Sequence, residues 1–247
     1  MTKVDGRRAF GALLRRDIGC TLRNATCLAS MVFAVTACWF FSSTLGEFIA
    51  VDPSFAAFIT AFIAFFPTLE AGSIITLFAM GEERAHGTYE VMERGGVRLR
   101  TIIEAKVAAS ALFATALTTL CFAVAGAAPE RLPLLAAIAL VGSLPFLVLS
   151  SGCGLLSHDQ MRTNLWAWPQ AILGLMSLVG TVVPAWGFIG ALSPVGFLAA
   201  ACTWTVTGDP DALGFPPLAM AANLIVWSAL SLLWLRCCLK RAERDQS

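Results

Sequence analysis

Six runs of about twenty mostly apolar residues constrain this chain more than any other feature. They lie at Ala25–Gly46, Phe55–Met80, Ile102–Gly126, Leu132–Leu156, Leu165–Ile189 and Pro216–Leu235. A helix needs about 20 such residues to cross the hydrocarbon of a bilayer. The rest of the composition agrees: 57% of the 247 residues are hydrophobic and 13% charged, where a soluble domain carries about 25% charge to keep its surface hydrated. The expectation is an all-α polytopic integral membrane protein with six transmembrane helices. Prolines support the boundaries: Asp52-Pro53 precedes the second run, Pro129 and Pro133 flank the turn before the fourth, and Pro216-Pro217 open the sixth, where missing N–H groups cost nothing. The first run follows a long arginine-rich leader and precedes five more, so it reads as a span and not as a cleaved signal peptide.

The net charge of +1, from 17 basic and 16 acidic residues, hides a strong asymmetry. Sixteen basic residues, from Lys3 and Arg7 through Arg84, Lys106 and Arg162 to Arg241 and Arg244, fall at one end of the predicted spans, and Arg131 alone at the other. Basic residues collect on the cytoplasmic side, so both termini are expected there, in a multi-pass protein of the cell (plasma or inner) membrane. The expected organisation is a cytoplasmic amphipathic leader at 1–24, a six-helix domain at 25–236 and a cytoplasmic tail at 237–247. In the leader, Phe10, Leu14, Ile18 and Leu22 recur at spacing four between arginines. This fits a basic helix lying along the headgroups, with a solvated, unstructured anchor as the alternative. The outer stretch Gly190–Gly214 is apolar but broken by Gly and Pro, which predicts a re-entrant or interfacial hairpin buried in protein.

The loop between the second and third runs, Gly81–Arg94, carries the densest polar signal. Gly87-Thr88 followed by Glu90 reads as a helix start with Thr88 as N-cap, and Tyr89 and Met92 would share one face. Such a helix offers a knob to a cytoplasmic partner; a solvated connection is the plainer reading. Glu70 is the one carboxylate deep inside a run, three residues after Pro67, where a charge costs about 2.5–3.5 kcal/mol on insertion scales. It is protonated, bonded to another helix, or faces a wet cavity, so a place on a substrate path and a structural bond to a Ser or Thr or across a dimer seam both fit.

Two other chemistries fit poorly. A phosphate-binding loop needs Gly-Lys-Ser/Thr, but Lys3, Lys106 and Lys240 follow Thr2, Ala105 and Leu239. A membrane hydrolase built on Glu82-Glu83 lacks histidines in its spans, because His86 and His158 both fall in loops. Ser151-Gly152-Cys153-Gly154 reads as a helix-packing patch. The eight cysteines show no zinc spacing and no paired outer positions, and the tryptophans read as interfacial anchors.

The run Glu83-x-x-x-Gly87-Thr88-x-Glu90, a basic segment, then Glu104-Ala105-Lys106 opening the next span, resembles the integral membrane permeases of the ABC-2 type. The resemblance extends to the leader, the six spans, Arg162-x-Asn164 before the fifth span, and Ser193-Pro194 opening the outer hairpin. It departs from the family at His86-Gly87, and its loop is more acidic. The resemblance implies the permease subunit of an ATP-driven transporter, more an exporter than an importer, with no enzymatic activity and no cofactor of its own. Glu83, Gly87, Thr88, Tyr89 and Glu90 would form the loop coupled to a separate ABC ATPase subunit. A second permease copy or paralogue would complete the pathway within the lipid bilayer, and no nucleic acid is involved. A haem-exporter or cytochrome-maturation membrane subunit and a nontransporting scaffold or sensor subunit are the alternatives.

Overall fold

A computed structural model describes residues 6–49, 52, 54–157, 160–214 and 216–244. Lys3, Pro53 and His158 lie outside the described residues. Helix dominates, and no strand occurs among the described residues. Six helices are long and apolar enough to cross a membrane, which makes this a multi-pass membrane protein.

The leader forms α1 (Gly6–Arg23) and the first span α2 (Ala25–Gly46). Asn24 breaks the chain between them: its backbone is extended, and its side-chain oxygen accepts from the Thr26 and Cys27 amides at 2.9 and 3.3 Å, a standard helix N-cap. The second span, α3, runs through 32 residues, Ser54–Ala85, past the predicted end at Met80. Pro67 sits inside it, and the backbone then widens into a π-helical segment, Ala71–Phe78. Phe58, Phe62 and Phe66 recur at spacing four along α3. Phe41 and Phe33 of α2 meet Phe62 and Phe66 at ring-centroid distances of 4.6 and 5.8 Å, so the first two spans are joined by an aromatic ladder. A short helix, α4 (Thr88–Arg94), leads to the third span, α5 (Leu99–Val124). The fourth and fifth spans contain α6 (Leu132–Leu156) and α7 (Gln160–Leu175), followed by α8 (Gly196–Thr207) and the final helix, α9 (Pro217–Arg244).

Two further boundaries differ from expectation. The fifth span ends at Val182 and not at Ile189. Its helix tightens at Met176–Leu178, runs on through Val182, and breaks where Val183 turns extended before Pro184. The chain 211–214 folds into this break. A Cβ on Gly180 or Gly187 would come within 2.3 or 2.7 Å of the Leu213 carbonyl oxygen, so only glycine admits the close approach. At the other end of the chain, α9 continues to Arg244 with Cys238 and Ala242 buried. Residues 237–244 therefore continue the helix of the last span.

Among the described residues the bundle has three buried apolar clusters, the smallest joining Ala71 and Ile75 of α3, Ala111 and Ala114 of α5 and Leu147 of α6. The largest gathers Phe65, Phe122, Phe146, Leu135, Leu198 and Cys202. The second joins the opposite helix ends through Leu13, Met80, Tyr89, Ile102, Leu155 and Ala242. This places α1, α4 and the end of α9 at one, basic end of the bundle. The apolar helix α8, 12 residues long, is too short to span and packs among α3, α6 and α9. Asn223 of α9 holds its entrance: the side-chain oxygen accepts from the Phe197 amide at 2.9 Å, and the side-chain nitrogen donates to the Ala191 and Ser193 carbonyls at 2.6 and 3.0 Å. At the other end of α8, Arg131 donates to the Thr205 and Val206 carbonyls at 3.1 and 2.7 Å, where a helix C-terminus favours a cation.

Replacing Asn223 by alanine would take the partner from the Phe197 amide and the Ala191 carbonyl, while the Ser193 carbonyl would keep the Gly196 amide at 3.0 Å. An unpaired buried group costs about 1–3 kcal/mol. Thermal unfolding in detergent should show Asn223→Ala lowered by at least about 2 kcal/mol, and Asn223→Gln by less.

Candidate functional site

The basic end of the bundle presents a buried ionic cluster. At about 1.5 Å per residue, the 32 residues of α3 reach roughly 48 Å, against about 30 Å of hydrocarbon. The last turns of α3, which carry Glu83, therefore project toward the membrane surface, where charge can be held. Arg16 and Asp17 come from α1, Glu83 from α3 and Lys106 from the second turn of α5. Arg16 Nη2 lies 2.6 Å from Asp17 Oδ1 and 2.9 Å from Glu83 Oε1. Lys106 Nζ lies 2.8 Å from Glu83 Oε2 and 3.7 Å from Asp17 Oδ1. Two cations face two anions, so the cluster is neutral. The side chains of Asp17 and Lys106 are each only 6% exposed. Burying either alone would cost several kcal/mol, so each charge makes burial of the other tolerable.

The local sequence explains why these groups meet. The enclosed face of α1 is Ala9, Leu13, Asp17 and Thr21, a spacing of four that sets one carboxylate among small and apolar groups. This face is offset by one residue from the predicted stripe: Phe10, Leu14 and Ile18 are half-buried, and Leu22 is exposed. The leader helix packs on α5, and its burial follows protein contact more than headgroup contact. Lys106, counted in the sequence among the basic residues at one end of the spans, is buried and paired. For Arg16, burial favours the neutral form, but the hydrogen bond and charge of Asp17, with Glu83, outweigh it and hold the guanidinium above its usual pKa.

Next to the cluster, α4 is fixed at both ends by glycines. Gly87, not Thr88, takes the N-cap position, in the left-handed conformation at φ 65°. Thr88 is the first helical residue. At the C-terminal end, the Gly96 amide bonds the Glu93 carbonyl at 2.8 Å and the Val97 amide bonds the Met92 carbonyl at 3.1 Å, with Gly96 at φ 86°. This is a Schellman motif, and its apolar partners Met92 and Val97 both pack on the basic-end core. Tyr89 and Met92 do share a face, but that face points inward. Tyr89 is 2% exposed, and Met92 Sδ accepts from Arg16 Nη1 at 3.2 Å. The Tyr89 hydroxyl faces Glu83 without reaching normal hydrogen-bond geometry. Burial, then the charges of Glu83 and Asp17, push its ionisation well above the usual range, so the phenol stays neutral. Glu90 is half-buried and folds back toward Gly87. The outward residues of α4 are Val91, 66% exposed, and Arg94.

A cavity of about 110 Å³ opens beside the cluster, lined in part by Asp17, Thr21, Asn24, Lys106 and Ser110. Its size and polarity suit several waters, which would satisfy the otherwise unpartnered Asp17 Oδ2. Arg84 donates to the Leu155 carbonyl, tying the end of α3 to the last turn of α6. Glu70 stands apart from this cluster. It accepts a hydrogen bond from Ser30 of α2, the interhelical bond among the arrangements open to it.

No protein-family model matches the chain, and no curated protein matches it at a significant level. The site is therefore read from its own geometry. Of the residues singled out by sequence, Glu83 and Tyr89 are brought together, Gly87 and Thr88 shape the turn, Glu90 flanks it, and Glu70 lies elsewhere. Asp17, Arg16 and Val91 were missed. The signals were an acid in register with Ala9, Leu13 and Thr21, and an apolar side chain in a polar loop.

Lys106→Met leaves two buried carboxylates short of a partner and should cost about 3–5 kcal/mol in detergent unfolding. Lys106→Met combined with Glu83→Gln should recover part of that loss, and a double-mutant cycle reads the coupling. Tyr89→Phe removes a hydroxyl that makes no normal hydrogen bond and should stay within about 0.5 kcal/mol of wild type. Tyr89→Ala opens a cavity and should cost about 3–5 kcal/mol.

Proposed function

We propose that this chain is the permease subunit of an ATP-driven transporter of the ABC-2 type. In this reading it is an exporter in the cell membrane, with both termini cytoplasmic, and it forms half of a translocation pathway. A separate ATPase subunit drives it through α4. The observation that carries the proposal is the two-sidedness of α4. Its inner face, Tyr89 and Met92, is sunk into a core shared with α1, α5, α6 and α9, while Val91 stands outward. A push on Val91 would be transmitted to several spans at once, because the core beneath is close-packed.

Other features support the same reading. The basic residues of the leader, the 84–106 segment and α9 share one end of the bundle, while Arg131 caps α8 at the other, which favours a cytoplasmic basic end. The spans α2 and α9 are the least enclosed, with 17% of their central windows buried against 61% for α3. They are the faces available to lipid and to a second permease copy. The chain has no phosphate-binding loop, so the ATP chemistry belongs to a partner. The role of Glu83 shifts within this proposal: it holds α4 in place from inside and does not meet the ATPase directly.

Val91 is therefore the test. Val91→Asp should leave thermal stability within about 0.5 kcal/mol, as exposed substitutions do, while reducing co-purification with the ATPase and its stimulated hydrolysis by at least tenfold, the effect of losing an interface hot spot worth about 1.4 kcal/mol or more. An unchanged complex and unchanged hydrolysis would overturn the coupling through α4.

A further inference from the structure

A groove of about 480 Å³ opens at the basic end of the bundle between the start of the fifth span and the end of α9. It is lined by Leu156, Arg162, Leu165, Trp166, Pro169 and Arg241. Arg162 and Arg241, one from each helix, are the two charged residues of a lining that is otherwise apolar. Trp166 packs on Trp234 of α9 at a ring-centroid distance of 6.0 Å, which ties the two helices that line the groove. Beyond it, Leu165 and Trp168 are 69% and 73% exposed, so the groove opens onto the apolar side of the spans.

We propose that this groove binds one anionic phospholipid, its phosphate between Arg162 and Arg241 and the start of an acyl chain along Leu165 and Trp166. The charges match. Arginine holds phosphate oxygens with two parallel N–H donors. The site sits where two membrane-spanning helices end, the depth at which headgroups lie. Basic pockets between spans on the cytoplasmic side take anionic headgroups. A free phosphate would use the arginines but leave the apolar floor uncovered, whereas a phospholipid covers both. This inference rests on the membrane-spanning fold and not on the transporter reading, and it stands or falls separately.

The test is lipid binding to the full chain in neutral detergent, counted by native mass spectrometry, with phosphatidylglycerol, phosphatidylcholine and free glycerol 3-phosphate as separate arms. One phosphatidylglycerol should be retained, with weaker binding of the other two. Near the surface each basic residue contributes about 1 kcal/mol to anionic lipid attraction, so Arg162→Gln and Arg241→Gln should each weaken binding about fivefold and the double variant about 25-fold. Lys240→Gln, outside the groove, should change it less than twofold. Equal retention of phosphatidylcholine would overturn the proposal, as would equal weakening by Lys240→Gln, which would mean diffuse attraction. Equal binding of glycerol 3-phosphate would also overturn it, leaving an anion site without a lipid. Should an arginine variant fail to fold, a photoreactive phosphatidylglycerol should label the peptide containing Trp166 in the wild-type chain. Labelling elsewhere only, or equal labelling by the phosphatidylcholine analogue, would sink it.

Discussion

The buried ammonium of Lys106 is the constraint on which the basic end depends. An ammonium out of water needs anions in good geometry, and Lys106 has them only because α1 delivers Asp17 and α3 delivers Glu83. Arg16 then neutralises the surplus negative charge and reaches Met92 of α4. The leader, the second span, the third span and the loop helix are thus held by one neutral network. Removing any member leaves another charge exposed to a low dielectric. A cluster of this kind favours a unique arrangement of its helices more than it adds net stability.

The opposite end of the bundle solves a different problem by different means. There the chain must place the turns and short helices on either side of α8, 183–195 and 208–214, against apolar helices. Unsatisfied backbone groups are the cost. Asn223 answers at the entrance of α8 with both an acceptor and a donor, Arg131 answers at its exit, and Gly180 and Gly187 let the chain approach closely enough to exclude solvent. One end is held by paired side-chain charges, the other by side chains that complete backbone hydrogen bonding.

The parts of this structure that are legible in the sequence are those set by transfer free energy. Six apolar runs give six helices able to span among the described residues, and Gly87-Thr88 marks the start of the loop helix, with the cap one residue earlier than expected. The failures share a cause. The end of the fifth span is decided by Leu213, more than thirty residues away from Gly180, and the buried face of α1 by what α5 presents to it. Glu83 reads in the sequence as an exposed loop acid because its partners, Arg16 and Lys106, lie 67 residues before it and 23 after it. Tyr89 reads as a docking side chain because nothing local reveals which side of α4 the core takes. Helix faces are settled by partners, and partners are not periodic.

The π-helical segment in α3 bears on how these two regimes coexist in one helix. In a regular helix each residue advances the side chain by about 100° around the axis, so Glu70 and Glu83 would hold a fixed angular relation. Widening the helix over Ala71–Phe78 changes that relation. The half bearing Glu70 can face Ser30 of α2 while the half bearing Glu83 turns toward α1 and α5. The widened turn thus acts as a phase shifter between a membrane-facing half and a charge-holding half. Any motion that tightened it to a regular helix would swing the acidic end around the axis, and the ionic cluster would register a change that began in the middle of the bilayer.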